Sequence, residues 1–106
     1  NNYNIKHFLI TLTSTDAQHS IDIGERLTRR GYQTTIDGVV LPLGVFYIKR
    51  PNKETYLSIR REILGVCQSL LSEKLNVGLV VAAIDGVLAP GYYQKTELEM
   101  IPACGL

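Results

Sequence analysis

The chain has no tryptophan, one methionine, two cysteines and two histidines among its 106 residues, and each scarcity removes a class of function. His7, His19, Cys67 and Cys104 stand singly, never at the close spacing from which a tetrahedral zinc site draws its ligands, and this argues against structural zinc. Two cysteines are too few for a disulfide framework in a chain long enough to build an apolar core, so a reducing, cytoplasmic setting is expected. No run of about 18 apolar residues occurs, so no membrane-spanning helix is expected. The opening Asn1-Asn2-Tyr3-Asn4 also lacks the basic-then-apolar layout of a secretion signal. Despite nine glycines, neither glycine-rich phosphate loop, GxGxxG or GxxxxGK followed by Ser or Thr, is found.

What is present fits one domain over residues 1–106, with 45% hydrophobic and 20% charged residues. The net charge of +1 hides an uneven distribution. Residues 26–61 carry Arg26, Arg29, Arg30, Lys49, Arg50, Lys53, Arg60 and Arg61 against only Asp37 and Glu54, a local balance of +6, while both flanks are acidic. Gathered on one side of a fold, such cations attract phosphates through a salt-sensitive field. The plainer alternative is a solvated surface, because Asp22 to Arg26 and Glu25 to Arg29 are i,i+4 pairs in the favourable acid-before-base order.

The apolar pattern predicts a strand over residues 5–13, with Phe8, Ile10 and Leu12 on one face. A helix follows at about 15–30. Ser14, Thr15 and Asp16 are its candidate N-caps, Ala17, Ile21, Gly24, Leu27 and Thr28 recur at helical spacing, and Gly31 ends it. Tyr32 to Asp37 and Val45 to Arg50 alternate as two strands, joined through a turn at Asp37-Gly38 or Pro42-Leu43-Gly44. Asn52 is read as the N-cap of a long helix to about Leu75, with Tyr56, Ile59, Ile63, Val66, Cys67 and Leu70 on its apolar stripe and a second seam of Leu57, Leu64 and Leu71. Cys67 is therefore a core thiol. Gly78 to Ile84 is almost wholly apolar, which predicts a strand covered on both faces and ended by Asp85-Gly86.

An internal echo organises these elements. Ile36-Asp37-Gly38-Val39-Val40-Leu41-Pro42 matches Ile84-Asp85-Gly86-Val87-Leu88-Ala89-Pro90, each closing a strand that follows a helix. Two βαβ halves, 5–42 and 45–90, predict an α+β, ferredoxin-like βαββαβ fold with an antiparallel sheet and both helices on one face. Tyr92 to Ile101 reads as an extra C-terminal strand in need of a partner edge. The helix-free sheet face, with Leu9, Val45, Tyr47 and either Tyr32 or Gln33, also needs cover, so a homodimer is expected.

Within such a fold the stretch Leu43 to Arg50 lacks the aromatic and basic positions of an RNA-recognition motif, with Val45 and Arg50 where aromatics belong. His19 belongs to the polar side of the first helix. Asp16, just past the first strand at a helix start, can cap free amides or hold a hydrated Mg²⁺ that activates water toward phosphate. Two copies sharing one ion across a twofold axis would suit phosphodiester hydrolysis.

Phe8-Leu9-Ile10-Thr11-Leu12 leading to Asp16, the segment Asp22 to Tyr32, and Leu41-Pro42 running to Phe46-Tyr47-Ile48 together resemble the small ferredoxin-like nucleases. These include the VapD toxins, the small CRISPR adaptation nuclease and, most nearly, the bacterial antitoxin ribonuclease GhoS. The resemblance is one of plan over residues 5–90. It implies a small cytoplasmic RNA-binding homodimer, an endoribonuclease component of a toxin–antitoxin system, with Asp16 as catalytic residue and metal ligand. Arg26, Arg29, Arg30, Lys49 and Arg50 would be its phosphate contacts. The alternative is a non-enzymatic homodimeric regulatory module whose sheet face and extra strand bind a protein partner.

Overall fold

Phe8, Ile10 and Leu12, on alternate positions of the first strand, are all buried, and the chain is organised around that strand. The computed structural model describes residues 5–70, 77–84 and 91. Over these the elements are β1 (Ile5–Ser14), α1 (Ala17–Arg29), β2 (Thr35–Ile36), β3 (Val39–Val40), β4 (Val45–Pro51), α2 (Tyr56–Ser69) and β5 (Val77–Ile84). The expected strand over 92–101, the Asp85-Gly86 turn and the end of the second helix toward Leu75 lie outside the described residues.

The fold is α+β, with a three-stranded antiparallel sheet in the order β4-β1-β5. β1 is central, with Leu9 opposite Tyr47 on one side and opposite Ala82 on the other. Period-2 alternation then sends Phe8, Ile10 and Leu12 to the same face as Phe46 and Ile48. On that face they meet Ile23 and Leu27 of α1 and Ile59, Ile63, Val66 and Cys67 of α2 in one cluster. Both helices therefore cover one side of the sheet. Each fully buried Ile, Leu or Phe contributes about 1.5–3 kcal/mol relative to exposure, so this layer is the main favourable term in folding.

Several local expectations are corrected. The strand expected over Tyr32 to Asp37 is shortened to β2, paired with β3, and contacts the outer side of β4 only through an isolated bridge, Gln33 to Tyr47. Asp37 (φ 49°) and Gly38 (φ 80°) occupy left-handed conformations, as a two-residue hairpin turn demands. They fold β2 back on β3 instead of letting it run along β4. Gly44 (φ 86°) then brings the chain so close to β1 that a Cβ there would sit 2.5 Å from the Leu12 carbonyl oxygen. The core stripe of α1 runs through Ile23 and Leu27, while Ile21, expected inside, is 52% exposed. The N-cap of α2 is Thr55 rather than Asn52: the Thr55 hydroxyl accepts from the Ser58 amide, and the Ser58 hydroxyl accepts from the Thr55 amide. Asn52 lies in the turn before it. Tyr56, one residue into the helix, is exposed rather than on the buried stripe. β5 is not covered on both faces, since its side chains are half-buried or exposed throughout and Val80 is 63% exposed.

Candidate functional site

Arg26 and Arg29 in the last turn of α1 and Arg30 at its C-cap line one recess of about 190 Å³, together with Val66 and Ser69 of α2. Arg26 and Arg29 stand where a helix C-terminus favours cations, so their positions stabilise the helix as well as charging the recess. The Arg26 Nη1 reaches the Ser69 hydroxyl at 3.5 Å, and that hydroxyl donates to the Val66 carbonyl at 2.7 Å. Among the described residues no carboxylate lies within ion-pair distance of Arg26, Arg29 or Arg30. The expected partner Asp22 instead accepts from the Gln18 amide nitrogen at 2.9 Å. Three exposed positive charges thus gather outside any ion pair among the described residues, with Glu62 near enough to attract Arg30, an arrangement suited to an anion with several acceptor oxygens.

Arg50 is placed differently. Its side chain is only 19% exposed and forms a two-pronged pair with Glu62, Nη2 to Oε1 at 2.7 Å and Nη1 to Oε2 at 3.3 Å, with Glu54 at 3.2 Å from Nη1. The Tyr32 hydroxyl donates to Glu62 Oε1 at 2.7 Å, and the Arg50 guanidinium carbon lies 5.7 Å from the centre of the Tyr32 ring. Burial works against the Glu62 charge, yet the hydrogen bonds from Arg50 and Tyr32 and the attraction of Arg50 and Arg30 outweigh it, leaving the carboxyl below its usual range. The Glu62 hydrogen bond, opposed by burial, raises Arg50 further. Burial, and then the hydrogen bond to Glu62, push Tyr32 well above the ordinary phenol range. This cluster ties the end of β4 to α2, and the Arg50 charge is compensated within it.

Lys49 is exposed, and by strand alternation it shares the helix-free face with Tyr47 and Val45. It lies across the sheet from α1. On that face His7 and Tyr47 are hydrogen-bonded and stacked, while Tyr32 is turned into the core and Gln33 is exposed. Burial and then Asp37 raise the Tyr47 phenol. The predicted phosphate contacts are therefore divided: three gather at one recess, one is neutralised, and one faces away.

Asp16 is the N-cap of α1. Its Oδ1 accepts from the amides of Gln18 at 2.8 Å and His19 at 3.4 Å, satisfying donors that the first turn leaves unpaired. The only other titratable side chain paired with it among the described residues is His19, whose Nδ1 stands 4.0 Å from Oδ2. No group of three or more metal-ligating side chains occurs among the described residues. One carboxylate, half committed to capping, does not fit a Mg²⁺ site within a single chain. Asp16 and the arginine recess also lie at opposite ends of α1, about 20 Å apart along 13 helical residues.

A second concavity, of about 850 Å³, runs between α1 and the segment from Thr34 to Phe46. Ile21 and Leu43, the latter 99% exposed, contribute apolar walls, and Arg29 borders both this groove and the recess. Sequence reasoning did not find it, because it exists only where β2 leaves the sheet. Cys67 is buried as expected, and its burial raises the thiol. No family model, curated protein or solved structure matches the chain.

Proposed function

We propose that this chain is a small RNA-binding protein that engages phosphates at the recess of Arg26, Arg29 and Arg30. The observation that carries the reading is the gathering of three exposed arginines around one recess, with no carboxylate within ion-pair distance of them among the described residues. Phosphate oxygens accept paired hydrogen bonds from guanidinium forks, which makes arginine better suited than lysine to this task. Lys49 and Arg50 do not belong to the same surface. The RNA reading also agrees with the GhoS-type resemblance. A ferredoxin-like interpretation is supported by the order β4-β1-β5 with Gln33 bridged to the outer side of β4, where a shortened second strand would lie.

Phosphodiester cleavage by Asp16 receives less support, because its carboxylate caps a helix and stands far from the recess. The reading is therefore binding without a mechanism of hydrolysis. It is tested by measuring retention of single-stranded RNA at low salt by the wild type and by an Arg29→Ala/Arg30→Ala variant. The double variant is expected to bind at least about tenfold more weakly, uniformly across RNA sequences, as for any contact to phosphate. Equal retention by the two proteins, or none by either, would remove the proposal. A second reading, a non-enzymatic interaction module for a protein partner, is favoured by the apolar groove beside Ile21 and Leu43, and it is the one left standing if RNA is not retained.

A further inference from the structure

The two edges of the sheet differ in kind. On β4, Lys49, Arg50 and Pro51 stand at the strand end, and two backbone hydrogen bonds with Gln33, at 2.7 and 2.9 Å, occupy the outer side at Tyr47. Charge, proline and a covering segment are the ordinary devices that keep an edge from pairing with another chain. Among the described residues β5 has none of them. Val77-Gly78-Leu79-Val80-Val81-Ala82-Ala83-Ile84 contains no charged residue and no proline, and among the described residues it pairs only with β1. Its apolar side chains are incompletely covered on both faces: Val77, Leu79 and Val81 are partly buried toward the helices, and Val80 is 63% exposed on the other side.

The flank of α2 extends the same surface. Glu62 and Ser69 turn toward Tyr32 and Arg26, the side on which α1 lies. Leu57 and Leu64 lie about 140° around the helix from them. α1 packs on β1 and places Gly24 over Phe46 of β4, whereas α2 packs on β5. The flank of α2 facing away from α1 therefore lies on the side of the open β5 edge, with Leu57 57% exposed.

We infer that β5 pairs antiparallel with β5 of a second copy of this chain, joining two three-stranded sheets into one of six strands with the Leu57 and Leu64 flanks of the two α2 helices facing each other. A second copy is the fitting occupant because an uncharged strand is self-complementary under a twofold axis, with no like charges brought together. Residues directly opposite in an antiparallel pair share a face; with the axis placed at Val80, near the centre of the strand, Val80 meets the partner's Val80 and Leu79 meets the partner's Val81. The axis stands perpendicular to the sheet, which puts all four helices and both arginine recesses on one side. An edge about 26 Å long and a sheet-plus-helix layer about 20 Å deep present roughly 500 Å² in flat projection. Side-chain relief enlarges this toward the 600 Å² or more per partner, roughly, that stable complexes bury.

The association is measured without RNA, so its outcome is separate from that of the binding reading. Light scattering and sedimentation equilibrium are applied to the wild type, Val80→Lys, Val80→Glu and an equimolar mixture of the two variants. Because Val80 is exposed in the single chain, both variants are expected to fold with unchanged circular dichroism. The wild type is expected to be a dimer, and each variant alone to dissociate at least about tenfold more readily through like-charge repulsion at the axis. The mixture is expected to re-form a dimer. A monomeric wild type would overturn the inference. So would variants that dimerise as tightly as the wild type, or a mixture that stays monomeric.

Discussion

Arg50 and Glu62 show how one residue's role is set by its neighbours. In sequence Arg50 is the fifth of eight cations between residues 26 and 61; in space it is held by two glutamates and lies over a tyrosine ring. Glu62, held below its ordinary range, has a lower pKa in the folded chain than in the unfolded one. Its contribution to stability is therefore fully present above the unfolded value of about 4.3 and is lost as pH falls through the folded value. A Glu62→Gln variant is expected to be less stable at neutral pH by about 1.5–3 kcal/mol, the usual worth of a hydrogen-bonded charged group. Urea midpoints measured from pH 7 to pH 3 are expected to fall less steeply for this variant below about pH 4.3 than for the wild type.

At the level of elements, α1 divides the expected active site between its two ends. Its N-terminus uses Asp16 to satisfy the amides of Gln18 and His19, and its C-terminus supplies the arginines. Replacing Asp16 by Ala is expected to cost about 1 kcal/mol of stability through loss of the cap, whereas Asp16→Ser retains most of it. Retention of RNA below the melting transition is expected to stay unchanged in both variants, since the recess lies at the far end of the helix. Thermal unfolding and low-salt retention on the same samples check the two halves of this prediction. The cap was legible as one of Ser14, Thr15 and Asp16, which stand before a helical pattern, and the structure places it at Asp16. Thr55 was missed in favour of Asn52, although its Thr-x-x-Ser spacing to Ser58 was the available signal.

Over the whole molecule a net charge of +1 makes the distribution of charge, rather than its sum, decide how anions are met. If binding neutralises about three phosphates of a single strand, the logarithm of the binding constant is expected to fall with the logarithm of salt at a slope near −2. The Arg29→Ala/Arg30→Ala variant is expected to lose roughly two thirds of that slope, which titration at several salt concentrations measures. In the proposed dimer α1 lies on the far side of α2 from the axis. The two Asp16 carboxylates are then kept apart, and the shared-ion arrangement expected from sequence is not supported.

The sequence by itself determined what acts over a few residues: the alternation of β1, the Ile59–Ile63–Val66–Cys67 stripe, a cap within Ser14-Thr15-Asp16 and a turn at Asp37-Gly38 or Pro42-Leu43-Gly44. These rest on backbone preferences and side-chain periodicity, which need no distant partner. Tertiary structure decided which cations remain uncompensated, because the partners of Arg50 and Tyr32 at Glu62 are 12 and 30 residues away. It also decided that β2 leaves the sheet and that β5, among the described residues, pairs on one side only. An apolar run announces burial without saying what buries it, and on β5 that cover must come from beyond the described helices.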